Sequence, residues 1–348
     1  MTKIIRHLGF LALLTPLLAS AGLFALAALG FGARARAEEP SPLERVQVIP
    51  LHGRPDKKLD HMTLDAKRDR LLVANMANRT LDVVDLKAGK LLKEVPDQRG
   101  IQGVAYAPDL DRVFVGLGVG GLCNAFDGET YKLLKSVKLG TDVDNVRYDP
   151  RGRRVYAAHL EKSLSVLDGR NLELIADLRL PGFPEAFWLE TGRRRLYANV
   201  PSLNQVLVLD AEKNKVIDRY PLKRAGANYS LALDEANRRL FVGCRKEPMV
   251  VVLDLDSGKE IAGLPIPGDI DDLFYDARRK RLYASCGEGF LAVIRQIDAD
   301  RYEQVAKLPT GKLARTCFFD PNTGRLFLAV PRQKGKEGPE LWVYRARP

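Results

Sequence analysis

Asp149-Pro150-Arg151-Gly152-Arg153-Arg154-Val155-Tyr156-Ala157-Ala158-His159 reads as a tight turn that feeds a strand apolar on both faces. Its closing triplet of arginine, aliphatic residue and bulky residue returns seven times: Arg70-Leu71-Leu72, Arg112-Val113-Phe114, Arg154-Val155-Tyr156, Arg195-Leu196-Tyr197, Arg239-Leu240-Phe241, Arg281-Leu282-Tyr283 and Arg325-Leu326-Phe327. Successive arginines lie 42, 42, 41, 44, 42 and 44 residues apart. A period of that length, with strand-like apolar runs inside each unit, predicts one propeller blade per unit.

Each unit carries more than the triplet. Five residues before each arginine stands a small or acidic residue: Asp65, Ala107, Asp149, Glu190, Asp234, Asp276 or Asp320. The residues between are turn formers, so the stretch predicts a hairpin. A second apolar run follows and closes on a charge, as in Val166-Leu167-Asp168, and a more polar strand comes after the next turn. Side chains after the arginine alternate large and small, Tyr156 then Ala158, with Val155 and Ala157 on the opposite face. Apolar character on both faces suits a strand packed between two neighbouring sheets. The expected fold is all-β, a seven-bladed propeller of four-stranded antiparallel blades.

Closure is also predicted. The last unit supplies strands over 313–319 and 326–330 and a third ending Leu341-Trp342-Val343-Tyr344, after which the chain stops. Arg45-Val46-Gln47-Val48-Ile49-Pro50-Leu51 supplies the missing outer strand, so the ring closes and loses its open edge. The expected organisation is a signal over residues 1–37, a linker over 38–43 and the propeller over 44–348.

Leu72-Val73-Ala74-Asn75-Met76-Ala77-Asn78-Arg79-Thr80-Leu81-Asp82-Val83-Val84-Asp85 resembles the repeat of the YVTN family of β-propellers, also called YncE-like proteins. Leu72 and Ala74 stand where the family has tyrosine and threonine. Tyr197-Ala198-Asn199-Val200 and Tyr156-Ala157-Ala158-His159 are fainter echoes, and the resemblance extends over 44–348. It departs in the last two blades, where Arg295 and Arg345 replace the strand-ending aspartate. The resemblance implies a propeller in an exported protein and says little about a reaction.

Lys3, Arg6 and His7 precede a charge-free apolar run from Leu8 to Gly32, and Ala35-Arg36-Ala37 offers a cleavage point before Glu38. That order predicts a secretory signal; the run over 8–32 is equally long enough to remain as an anchor. Either outcome exports the propeller to the periplasm or the medium. Cys123, Cys244, Cys286 and Cys317 fall at strand positions with no plausible mutual pairing, which predicts buried free thiols.

The chain carries a formal net charge of +11. Much of the excess lies in hairpins such as Arg193-Arg194-Arg195 and Arg278-Arg279-Lys280-Arg281, so one rim is expected to be basic and open to an anionic surface. The alternative pairs each repeated arginine with its nearby carboxylate, Arg154 with Asp149 and Arg281 with Asp276. The hairpins lack the interleaved aromatics that stack bases, which argues against nucleic acid.

The starts of the inner strands are polar and differ from blade to blade, unlike the repeated scaffold. They are Asp60, Gln102, Asp144, Glu185, Tyr229, Asp271 and Arg315, followed by His61, Gly103, Asn145, Ala186, Ser230, Asp272 and Thr316. His52 and His159 map toward the same rim. The expected ligand site is this channel mouth, with Asp60, His61, Asp144, Asn145 and Asp272 as candidate ligands for a divalent cation, calcium first, since carboxylate and amide oxygens suit a hard ion. A water-filled mouth with polar lining is the plainer alternative. Three functions stay open: a binding or scaffold module for a protein, glycan or small ligand, expected as a monomer; a metal-assisted hydrolase or lyase; and an accessory subunit of a periplasmic electron-transfer enzyme. No nucleophile-and-base signature, phosphate loop or fixed-spacing metal motif is present, so the first is preferred over an enzyme.

Overall fold

Six repeats form four antiparallel strands each and the seventh forms three, and seven four-stranded sheets make the fold. A computed structural model describes residues 40–54 and 58–348; the signal and anchor expected in residues 1–37 lie outside the described residues. Blade three is representative, with strands Val146–Asp149, Arg154–His159, Ser163–Asp168 and Leu174–Arg179 running from the channel outward. Asp149 pairs with Arg154 across the first hairpin, and Arg154 with Asp168 across the second interface. Turn residues Arg153, Arg194, Arg238 and Lys280 take positive φ of 49–57°.

The seventh blade is composite. Its sheet runs Leu43–Pro50, Glu340–Ala346, Arg325–Val330, Cys317–Asp320. The N-terminal strand therefore closes the ring, paired from Leu43 opposite Ala346 to Pro50 opposite Glu340 with a register shift between Arg45 and Gln47. Leu51 lies beyond it, its N–H bonding Pro339 O at 2.9 Å. The inner strand expected over 313–319 is confined to Cys317–Asp320; Leu313 has φ 62° and belongs to the connecting loop.

The triplet explains how blades join. Its bulky residue faces the following blade: Leu72 packs with Val113, Tyr156 with Leu196, Phe241 with Leu282, and Phe327 with Leu71 across the closure. Its aliphatic residue faces the preceding blade, so each unit lends one side chain to each neighbouring core. Burial of such a side chain contributes roughly 1.5–3 kcal/mol. The four cysteines lie inside these layers as buried free thiols.

The arginine of the triplet does not pair with its own hairpin carboxylate. Arg154 donates to Ala211 O at 2.6 Å, Arg112 to Gly169 O at 3.1 Å, Arg239 to Ala299 O at 3.0 Å and Arg281 to Arg347 O at 2.6 Å. Each reaches past its own sheet to the outer part of the next blade, and Arg325 reaches Asp69 of blade one at 2.6 Å. The buried strand-end carboxylates take other partners. Asp149 receives both guanidinium nitrogens of Arg194 at 3.0 and 2.5 Å, Glu190 receives Arg238 at 2.5 Å, and Asp276 receives Arg279 at 2.9 Å. Arg68, Arg153 and Arg193 are paired as well, with Asp111, Asp109 and Asp256. Much of the charge expected to make a basic rim is thus spent on contacts within the ring.

Candidate functional site

The mouth is built by a repeated irregularity. In blade one the Asp60 N–H bonds Ala74 O (2.8 Å) while the Ala74 N–H bonds His61 O (3.0 Å). Blade three repeats this with Asp144, Asn145 and Ala158 at 3.0 and 2.9 Å, and blade four with Glu185, Ala186 and Asn199 at 3.0 and 2.8 Å. In blades five and six the register shifts between Asn228 and Ser230 and between Ile270 and Asp272. Two residues opposite one constitute a β-bulge, which bends the strand and re-aims a side chain. Here it brings two consecutive side chains of each inner strand to the channel end. Gly103 occupies the second position in blade two, where a Cβ would run into the Asp144 carbonyl.

His61 ties opposite blades together. Its Nε2 lies 3.2 Å from Asn145 Nδ2 of blade three and its Nδ1 3.5 Å from Asp272 Oδ1 of blade six. In its neutral form the ring accepts from Asn145 at Nε2 and keeps its proton on Nδ1 facing Asp272; the imidazolium, protonated at both nitrogens, gives up the Asn145 bond and keeps Asp272. Burial opposes the imidazolium, but Asp272 and then Asp60 overcome it and raise the pKa to about 9. Asp272 also accepts from the Cys317 N–H at 2.9 Å. Asp60 is held by Lys58 at 2.7 Å. Asp271 is held by Arg245 at 2.5 Å and Arg315 at 3.1 Å, with Asp269 bridging the same two arginines. Arg245 also lies over the Tyr229 ring, 3.5 Å from its centroid.

Asp144 and Glu185 differ from these. Neither has an ionic partner or a side-chain hydrogen bond among the described residues. Burial first, then repulsion from neighbouring carboxylates, holds both above the usual carboxylate range. Between them Asn145 donates to Glu185 O at 2.7 Å, leaving its own Oδ1 buried without a partner. Ser230 Oγ is likewise buried and unbonded. Asn145, Glu185 and Ser230 face a small cavity of about 20 Å³.

Of the expected site residues, Asp60, His61, Asp144, Asn145, Glu185, Tyr229, Asp271, Asp272 and Arg315 gather at this mouth. Gln102 sits at the side, donating to Asp142 at 2.7 Å. His159 turns outward into its own blade, toward Glu161 (2.7 Å), Ser165 (3.1 Å) and Asp177 (3.3 Å). His52 is exposed beside Glu94. The five expected cation ligands do not converge as a set: Asp60 and Asp272 are engaged by Lys58 and His61. Among the described residues, no three His, Cys, Asp or Glu side chains are placed to hold a metal ion by themselves.

Two strand positions deeper, a layer of Arg147, Trp188, Phe274 and Phe318 narrows the channel, with edge-on contacts of 6.4 Å for Trp188–Phe274 and 5.7 Å for Phe274–Phe318. Beyond it a second cavity opens toward the hairpin rim. Reading the strand starts alone missed this layer and the cations Lys58 and Arg245. The signal was present two residues before each inner-strand end, where Thr63, Ala105, Arg147, Trp188, Ala232, Phe274 and Phe318 vary as strongly as the mouth does.

No protein-family model matches the chain. The uncharacterized protein YncE of Salmonella typhimurium (strain LT2) is 24% identical over 181 residues, 51% of this chain and 50% of that protein. The YncE protein of Salmonella typhi is 23% identical over the same shares. The chain thus spans about half the length of the curated relatives it matches. Joined to the seven-bladed ring, these matches identify the type. The chain is a YncE-like β-propeller.

Solved structures place the YncE-like ring among propellers at large. A chain of the mitotic checkpoint complex has a TM-score of 0.75 at 13% identity, covering 95% of this chain and 100% of that one. The RRP9 WD40 repeats reach 0.73 at 10% identity, over 88% and 100% of the two chains. Hydrazine synthase of Kuenenia stuttgartiensis reaches 0.67 at 16% identity, over 77% and 91%. At such identities the likeness is one of fold alone. Within this YncE-like propeller the mouth holds two carboxyl groups and an amide oxygen that have no side-chain partner among the described residues.

Proposed function

We propose that this YncE-like propeller is a non-enzymatic binding module whose channel mouth takes a small hard cation, calcium first, between blades three and four. The reading is carried by the buried, unpartnered Asn145 Oδ1 beside Asp144 and Glu185, two carboxylates with no ion-pair partner among the described residues. A buried acceptor left unsatisfied costs about 1–3 kcal/mol, and a cation removes that cost while ionising both acids. Two carboxylates and one amide leave several positions for water. Calcium tolerates such a shell, whereas magnesium requires near-ideal octahedral geometry. Weak calcium sites suit extracellular modules, and the export expected from residues 1–37 would put the mouth in such surroundings.

The test is thermal unfolding with added calcium. A ligand selective for the folded state raises Tm by mass action, so millimolar calcium is expected to raise it, and Asp144→Asn with Glu185→Gln to abolish the rise without unfolding the protein. Asp60→Asn, which breaks the Lys58 pair and weakens the support for the His61 charge but removes none of the three proposed ligands, is expected to keep the rise. No response of the wild type to calcium or manganese in thermal unfolding and calorimetry would overturn the reading.

A further inference from the structure

The cavity on the far side of the Arg147 layer is larger and of opposite character. It measures about 320 Å³ and is set into the inner strands of six blades. Its wall includes Met62, Tyr106, Tyr148, Trp188, Phe274 and Phe318. Among the described residues lining it, Arg147 alone is charged. A mostly apolar hollow of roughly 300–1,000 Å³ with a few fixed polar groups is the usual form of a small-molecule site.

Arg147 is the informative residue. Its one described hydrogen bond runs to Val146 O at 3.0 Å, and no carboxylate lies within ion-pair distance of it among the described residues. Other arginines near the hairpins hold carboxylates: Arg68 with Asp111, Arg194 with Asp149 and Arg279 with Asp276. Burial works against the Arg147 charge, and Asp272 and Asp144 support it only from a distance. A guanidinium carries five donors in a planar fork that matches a carboxylate with two parallel bonds. With most of the fork unused at the floor of an aromatic bowl, the missing partner is an anion carried on an apolar body.

We propose that this bowl binds a small aromatic carboxylate, with its ring among Trp188, Phe274 and Phe318 and its carboxylate on Arg147. Flat rings match the edge-on and offset arrangements already present in the wall. A long flexible chain would lose more rotamer freedom on entry. The bowl shares the layer of Arg147, Trp188 and Phe274 with the mouth but none of its proposed calcium ligands, so naphthoate binding and calcium-dependent melting are read separately.

The chain has two tryptophans, Trp188 and Trp342, so Trp342→Phe leaves Trp188 as the only tryptophan, read by exciting beyond tyrosine absorption. The probes are 2-naphthoate and its uncharged counterpart 2-naphthalenemethanol, titrated into the full chain by fluorescence and by calorimetry. Naphthoate is expected to quench Trp188 saturably and to bind about tenfold or more tightly than the alcohol, the ratio that a charge-assisted hydrogen bond confers. Arg147→Met is expected to bring the two affinities together while keeping the alcohol bound. Equal affinities in the wild type, or Trp188 emission unchanged at saturation, would overturn the proposal. A naphthoate preference that survives Arg147→Met would overturn the role of Arg147. If that variant does not fold, the comparison of the two probes on the wild type still decides.

Discussion

Arg154 and Arg281 occupy the most regular position of the repeat, and each spans a blade interface to a backbone carbonyl at 2.6 Å. A hydrogen bond from a charged donor contributes about 1.5–3 kcal/mol, more than the roughly 0–1 kcal/mol of an exposed ion pair. Arg154→Ala is therefore expected to lower stability by about 1.5–3 kcal/mol in urea unfolding. Arg154→Lys should recover only part, because one ammonium lacks the reach and the planar fork. A loss no larger than that of an exposed pair would show that water replaces the clasp at no cost. At the same scale, Asp144 and Asp272 carry identical carboxylates but differ in role. Asp272 is satisfied by His61 and the Cys317 N–H, and Asp144 is not.

At the scale of the element, the strand Leu43–Pro50 decides whether the ring is closed. It pairs along Glu340–Ala346 and places Ile49 in the core shared by blades seven and one. Removing Leu43–Pro50 leaves a row of unpaired N–H and C=O groups on a long edge, the condition under which sheets pair with other chains. The expected outcome is aggregation on size-exclusion chromatography and a broadened, less cooperative melt. A monomeric profile with an unchanged melting curve would show that closure contributes nothing. The bulges at the inner-strand starts are the other decisive element. Without them the strand would keep its period of two and turn every second mouth residue into a blade interface.

At the scale of the whole molecule, the titrating groups divide into two sets with opposite effects. Asp82, buried beside Thr80 and Asn75, is pushed up to about 7 by burial, and His61 stands at about 9. Asp144 and Glu185 are raised as well. A group whose folded pKa exceeds its unfolded value contributes stability that is full below the unfolded pKa and is lost as pH rises through the folded one. Glu161, bonded by the Thr141 backbone, and Asp168, bonded by Arg170, are instead lowered to about 2, and their contribution is lost as pH falls below the ordinary carboxylate range. Melting temperature in the absence of calcium should therefore peak between about pH 4 and 6 and decline toward alkaline pH. Calcium should offset part of that decline, since it binds the ionised acids. Calorimetric scans across this range test both statements, and a calcium-free melting temperature that climbs from pH 6 to 9 would contradict the assignment.

The period of the Arg-aliphatic-bulky triplet, the hairpin residues and the short seventh unit were enough to read seven blades, four strands in each, and closure by the N-terminal strand. Strand faces repeat every two residues and turns depend on local φ, so both are written in neighbouring residues. The polar, non-repeating strand starts likewise marked the mouth. Partnership was beyond local reading. Whether Arg154 meets Asp149, five residues away, or Ala211, in the next blade, depends on how the blades are stacked. The pairing of Lys58 with Asp60 and the span of His61 from Asn145 to Asp272 depend on the width of the channel. Only with the ring closed at that width do Asp144 and Asn145 Oδ1, without a side-chain partner, and Arg147, without a carboxylate, stand out among the described residues, because a side chain's reach across the channel is set by the assembled fold and not by its place in the chain.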